Sequence, residues 1–165
     1  MTTLPPNAHS NSMGILSSLF GKKQEPPPPD ANAIKESVQS VSDFCRDVMR
    51  HAGEAAFTQD SMERQVLSVY AFGGVHVLCQ QRGFSVPQGH AIALVVFRDF
   101  FGYSVEDSAA KAHAVITAAS DRTSHLNGII HRGIDGFLSW QEHRDTFDAA
   151  DFRDVITRLQ KKPSA

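Results

Sequence analysis

From residue 31 onward the apolar positions recur every three or four residues, the spacing of side chains along one face of an α-helix. Ile34, Val38, Val41, Phe44, Cys45 and Val48 form such a stripe and predict a helix over 31–51, closed by His51-Ala-Gly53. A second helix is expected after Thr58, its predicted cap, with Asp60 and Glu63 near the electropositive start. Its stripe runs through Met62, Val66, Val69, Tyr70, Val77 and Leu78 and stops at Gly83. Gly73-Gly74 interrupts it. Two interior glycines cost roughly 2 kcal/mol relative to alanine, so they predict either a kink or a close backbone approach.

Pro87 suits the first turn of a third helix. Ile92, Val95, Val96, Phe97, Phe100 and Phe101 make this the greasiest stretch, expected to be the most buried and to end at Gly102. Ser104-Val-Glu-Asp107 resembles a capping box and opens a fourth helix. The small inward residues of that helix, Ala109, Ala112 and Ala119 beside Val115 and Ile116, imply a close neighbour. A fifth helix is predicted over 123–143, and a sixth from Asp148 carrying Phe152, Val155, Ile156 and Leu159. No segment alternates with the two-residue period of a strand. Short connections favour antiparallel neighbours. The expected fold is all-α, a single compact bundle of about six helices over 31–162.

The first thirty residues read differently. They are polar and Pro-bearing, and four prolines, Pro26 to Pro29, impose an extended spacer. A disordered tail is expected over 1–30. Two readings of its Met13–Lys23 piece stay open. Met13 is a candidate start, leaving a floppy tail. Alternatively Leu16, Leu19 and Phe20, with Lys22 and Lys23, touch a membrane surface or a partner, although the piece is too short for a stable anchor.

Charge and cysteine content narrow the class. A formal net charge of −2, with no Lys/Arg run longer than two, argues against a general nucleic-acid binder. The two cysteines, Cys45 and Cys79, sit inside helical patterns and read as reduced, partly buried small hydrophobes. That suits a cytoplasmic location. No stretch reaches the roughly 20 apolar residues of a membrane span, and no secretory leader pattern is recognisable.

Known catalytic patterns are missing from the sequence. There is no phosphate-binding glycine loop, and Ser85 lacks the second glycine of a nucleophile elbow. Cys79 follows His76 by three residues, which reads as two neighbours on one face. The eight histidines show none of the tight spacings of a zinc site. His131 and Asp135 share a helical face, but a metal there would need ligands from elsewhere. No cofactor and no metal are expected.

The least ordinary stretch is Asn127-Gly-Ile-Ile-His131-Arg132-Gly133-Ile-Asp135-Gly136-Phe-Leu-Ser-Trp140. Its three glycines cost roughly 3 kcal/mol against alanines. Tight packing of another helix would compensate. So would a break presenting His131, Arg132 and Asp135, or the approach of a partner's backbone. Arg132 and Trp140 are residue types enriched at binding hot spots. Just beyond, Asp145, Asp148, Asp151 and Asp154 recur every three residues. Caps explain part of this, and Asp154 can pair with Arg158. The remainder either forms a solvated face or meets a basic partner, such as the nucleic-acid groove of a nuclease. The candidate partner-binding residues are His131, Arg132, Asp135, Trp140, Asp145, Asp148 and Asp151.

The helical layout and the NGIIHRGIDGFLSWQ stretch resemble small all-helical bacterial immunity proteins from polymorphic-toxin and type VI secretion loci, over about residues 31–162. That resemblance implies a protein that binds one cognate toxin in the cytoplasm and blocks it by occlusion, with no catalytic residues of its own. Two alternatives stay beside it. A helical oligomerising or adaptor protein would bring Gly133 against a second copy in a homodimer. An enzyme of unfamiliar type would converge His131 and Asp135, with His76 or His113, in a deep cleft.

Overall fold

Alanine, charged residues and regularly spaced apolar side chains dominate residues 31–52, and they fold as helix α1 (Ala31–Ala52), in which Val41, Phe44, Cys45 and Val48 face inward. The structure is a computed structural model, and it describes residues 31–162. The expected Pro-rich tail, including Met13 and Pro26 to Pro29, lies outside the described residues. Five more helices follow: α2 (Met62–Arg82), α3 (Val86–Val95), α4 (Val105–Ala119), α5 (His125–Glu142) and α6 (Ala150–Lys161). No strand occurs among the described residues. The all-α expectation holds, with six α-helices described.

The helix ends follow local chemistry. α2 is capped by Ser61 rather than Thr58. The Ser61 hydroxyl oxygen accepts from the Arg64 N–H at 3.2 Å, while Thr58 sits one turn earlier and its carbonyl accepts from Ser61. Gly83 closes α2 with a positive φ of 68°, a conformation that costs glycine little. α3 starts with a complete capping box between Ser85 and Gln88 and has Pro87 in its first turn. It widens into a π-helical turn over Val96–Phe100 and ends at Gly102. Ser104 caps α4 through the Asp107 N–H at 3.0 Å.

The centre of the bundle is α2, which corrects the expectation that the third helix would be most buried. Twelve residues of α2 are buried, including the unbroken run Val66 to Val75. Its small members, Ser68, Ala71, Gly73 and Gly74, let neighbours close in from several sides. α3 is shorter and leaves Leu94 and Val95 only partly covered. Phe44, Tyr70, Phe137, Trp140 and Phe152 join α1, α2, α5 and α6 in one aromatic cluster, with centroid separations of 5.2–5.7 Å from Phe44 to Tyr70, Phe137 and Trp140.

The glycines of α5 are explained by this centre. A Cβ on Gly133 would collide with the Tyr70 carbonyl, and one on Gly73 would collide with the Gly133 backbone. A Cβ on Gly136 would strike the Tyr70 hydroxyl. α2 and α5 therefore cross with backbones nearly touching, and α5 runs unbroken. Of the three accounts of these glycines, tight internal packing is the one realised. The homodimer contact expected at Gly133 loses its basis, because that face is already filled by Tyr70. Gly128 differs: its Cβ position has nothing within 4 Å.

Candidate functional site

α5 carries His131, Arg132, Asp135 and Trp140 around its circumference, and the close α2–α5 crossing fixes where each one points. Gly133 and Gly136 face inward, so His131 and Asp135 are left exposed, while Arg132 lies at the edge toward α6. There Arg132 makes a double ion pair. Its Nε donates to Asp151 Oδ1 at 2.7 Å and its guanidinium donates to Asp154 Oδ2 at 2.8 Å. Asp151 also accepts from the Tyr70 hydroxyl at 2.9 Å. Asp154 accepts a further bond from Arg158 at 2.9 Å, the pair expected from their spacing.

This network ties α2, α5 and α6 together at one end. Its electrostatics follow from the contacts. Hydrogen bonds to Asp151 and Asp154 hold the Arg132 guanidinium even more firmly protonated than usual. The bond from Arg132 holds Asp154 below its ordinary value, with Arg158 adding to the effect. Burial pushes the Tyr70 hydroxyl strongly upward, and the adjacent Asp151 charge adds to that.

Beside the network lies a cleft of about 410 Å³, lined in part by Asp135, Ser139, His143, Asp148 and Asp151. It forms where the loop between α5 and α6 turns back. Ala149 takes a left-handed φ of 57°, and its methyl is buried at 2 % exposure. Asp148 Oδ1 accepts from the Ala150 N–H at 3.0 Å, capping α6 from two residues ahead. The sixth helix therefore begins two residues later than expected, although Asp148 still does the capping.

The sequence-derived residues thus divide. Asp135, Asp148 and Asp151 are brought to one cleft. His131 sits on the exposed face of α5 outside it, and Asp145 is exposed on the connecting loop. Arg132 and Asp151 are committed to each other, so the acidic run is less free than its spacing implied. Trp140 is a correction. It is 1 % exposed, stacked in the aromatic cluster, and its indole N–H donates to Asp47 Oδ2 at 2.8 Å. Arg144 covers its ring at 3.7 Å. A side chain so enclosed presents nothing to a partner.

No hydrogen bond or ion pair joins His131 to Asp135 among the described residues. His76 lies beside Gln80 at 3.1 Å and lines a different groove. His113 is exposed on α4. Among the described residues no group of three or more His, Cys, Asp or Glu side chains is placed to hold a metal ion. Both cysteines are free, and burial pushes each thiol upward, away from the reactive thiolate. Sequence reasoning missed Tyr70 and Asp47 as polar partners. The clue was chemical: a buried phenol or indole needs somewhere to send its hydrogen.

The sequence now has a counterpart among known protein families. The family model described as Immunity protein 48 matches residues 33–160, nearly the whole of the described helical domain. The chain belongs to that immunity-protein family. No curated protein and no solved structure matches it significantly. Membership of an immunity family implies a toxin as partner. Among the described residues no helix is long and apolar enough to cross a membrane.

Proposed function

We propose that the protein binds one cognate bacterial toxin in the cytoplasm and neutralises it by covering the surface the toxin works with. The observation that carries this reading is the family match, which spans the domain from α1 to α6. A place in a toxin-delivery locus, such as a type VI secretion cluster, belongs to the same reading. The protein itself acts by contact and performs no reaction.

The contact face on this reading is the exposed side of α5 with the loop that follows, through His131, Asp135, Asp145 and Asp148, with Asp151 at the cleft floor. Arg132 acts from behind by fixing Asp151 and α6. The carboxylates there favour a basic partner surface, such as a nuclease's nucleic-acid groove, where charge complementarity speeds association and fixes orientation. Because α5 is locked against α2, the face is rigid, and little ordering is required on binding.

The test is co-expression with the toxin encoded beside this gene. Cells carrying the wild-type protein survive, and the purified pair forms a complex. The double substitution Asp135→Asn, Asp148→Asn weakens the complex by about tenfold or more, the scale of losing one or two charged contacts, and leaves helicity unchanged. Cells that die as fast with the protein as without it would end the immunity reading. Unchanged affinity in the double variant would move the contact face elsewhere.

A further inference from the structure

A further opening among the described residues lies on a different side. It is an open groove of about 700 Å³ between α2, α4 and α5, with Leu159 of α6 also on its lining. Its floor is aliphatic: Val66 and Val69 from α2, Leu126 and Ile129 from α5. These pairs are each three residues apart, so the floor presents ridges at helical spacing. Met62, at the rim, is 37 % exposed, an unusual position for a large apolar side chain beside an apolar trough.

One wall is polar and incomplete. Tyr103 lines the groove, and its hydroxyl is buried with no hydrogen-bond partner among the described residues. A buried hydroxyl without a partner has lost its water and gained no bond in return. Lys111 stands next to it, half-buried, with its ammonium 5.0 Å from the centre of the Tyr103 ring. It makes no ion pair among the described residues. Asp107, one turn earlier on α4, is the nearest acid acting on it, and burial still lowers the Lys111 pKa. Asp107 and His125 are the other charged or titratable groups on the lining, and neither makes an ion pair with Lys111 among the described residues. The wall therefore offers a hydroxyl without a hydrogen-bond partner and a cation without an ion pair beside an apolar trough.

We propose that this groove is a second toxin-docking site, receiving an apolar helix of the toxin that carries one carboxylate to accept from Tyr103 and pair with Lys111. The inference rests on the immunity reading and deepens it. An open trough with ridges at helical spacing suits a helix laid lengthwise, its apolar side chains seated between the ridges. The carboxylate supplies the ion-pair partner that Lys111 lacks among the described residues, since Asp107 acts on it without pairing. The two sites then grip the toxin from the α5–α6 loop and from the α4 side, and they differ in chemistry: acidic at the cleft, aliphatic with a cationic edge here.

The experiment measures affinity for the purified toxin domain encoded beside this gene by calorimetry. Ala114→Trp fills the groove from an exposed position on α4 and leaves the core untouched. It is expected to weaken binding by more than about tenfold. Tyr103→Phe and Lys111→Met are each expected to cost about tenfold, the scale of one charged hydrogen bond, whereas Lys111→Arg retains binding within about threefold. Wild-type affinity in Ala114→Trp, with the wild-type complex intact, overturns the groove while leaving the immunity reading standing. A wild-type protein that does not bind the toxin ends both. Two other occupants are read in parallel. Saturable binding of dodecanoate abolished by Ala114→Trp, with toxin affinity unchanged, would make the groove a fatty-acid site. A wild-type dimer dissociated by Ala114→Trp in sedimentation equilibrium would make it a contact between copies. Either result overturns the proposal.

Discussion

Replacing Gly133 by alanine isolates the crossing on which the site is built. In an unencumbered helix the change is favourable, by about 1 kcal/mol, because alanine loses less backbone freedom. Here the added methyl meets the Tyr70 backbone: its carbonyl oxygen in direct collision, its carbonyl carbon at 2.8 Å and its Cα at 3.1 Å. These are main-chain atoms and cannot rotate aside. α2 and α5 must separate, which loosens the neighbouring Gly73 and Gly136 contacts as well. Overpacking of this kind costs about 1–3 kcal/mol and occasionally more. The absence of any flexible neighbour puts Gly133→Ala at the upper end, for a net loss of about 2 kcal/mol after the propensity gain. Gly128→Ala is the control, since nothing lies within 4 Å of its Cβ. It should gain up to about 1 kcal/mol, so the two variants differ by about 3 kcal/mol for the same chemical change. Urea titrations followed by far-UV circular dichroism measure this, provided the slopes agree. A Gly133→Ala midpoint at or above wild type would refute the reading of the crossing, and with it the explanation of why α5 keeps its glycines.

Acid should weaken the α5–α6 junction with a defined sign. Asp154 has its pKa lowered in the folded protein from the ordinary 3.8, chiefly by Arg132, so its contribution is complete above that value and is lost as pH falls through the lowered one. Arg132→Ala removes the cause, and the urea midpoint of that variant should fall less steeply below about pH 4 than the wild type's; parallel acid limbs would count against the assignment. Trp140, the single tryptophan, should emit at blue-shifted wavelengths, as an enclosed indole does, and Trp140→Phe should cost roughly 1–3 kcal/mol through lost volume and the lost bond to Asp47. The same variant should retain toxin affinity, whereas a large loss of affinity without loss of stability would return Trp140 to the contact face.

The helices were legible because each buries one stripe and the stripe repeats. Pro87 and Ser104-Val-Glu-Asp107 announced the starts of their helices, and Gly83 and Gly102 the stops, since each of these signs depends only on nearby backbone. The order of burial was not legible. Phe97, Phe100 and Phe101 weigh more on any hydropathy count than Ser68, Ala71, Gly73 and Gly74. Yet the centre of a tight bundle goes to the helix its neighbours can approach, and smallness reads as weakness in a one-dimensional pattern. The same blindness affected Trp140. A tryptophan four residues from Gly136 and eight from Arg132 shares their helix, but its neighbours in space are Phe44 and Asp47 on α1, a relation no local spacing carries. The acidic run was half read: Asp154 with Arg158 is a local pair, whereas Arg132 with Asp151 joins two helices across a loop.

These same facts bear on how such a protein would meet a toxin. An exposed helix held by surface contacts alone can tilt, and any contact face on it then carries an ordering cost when a partner binds. α5 has no such freedom. Gly133 and Gly136 let it lie on the Tyr70 backbone, the Tyr70 hydroxyl reaches Asp151, and Asp151 in turn anchors Arg132 back on α5. The loop is closed through three helices, so moving His131 or Asp135 relative to the cleft requires breaking a partly buried polar contact or opening the close α2–α5 crossing. On the proposed contact face, Arg132, Asp151 and the glycines would serve recognition indirectly, by keeping the exposed carboxylates where they are. The side chains that meet a toxin are then free to vary with the toxin, while the residues that hold them in place are fixed by the packing of this bundle alone.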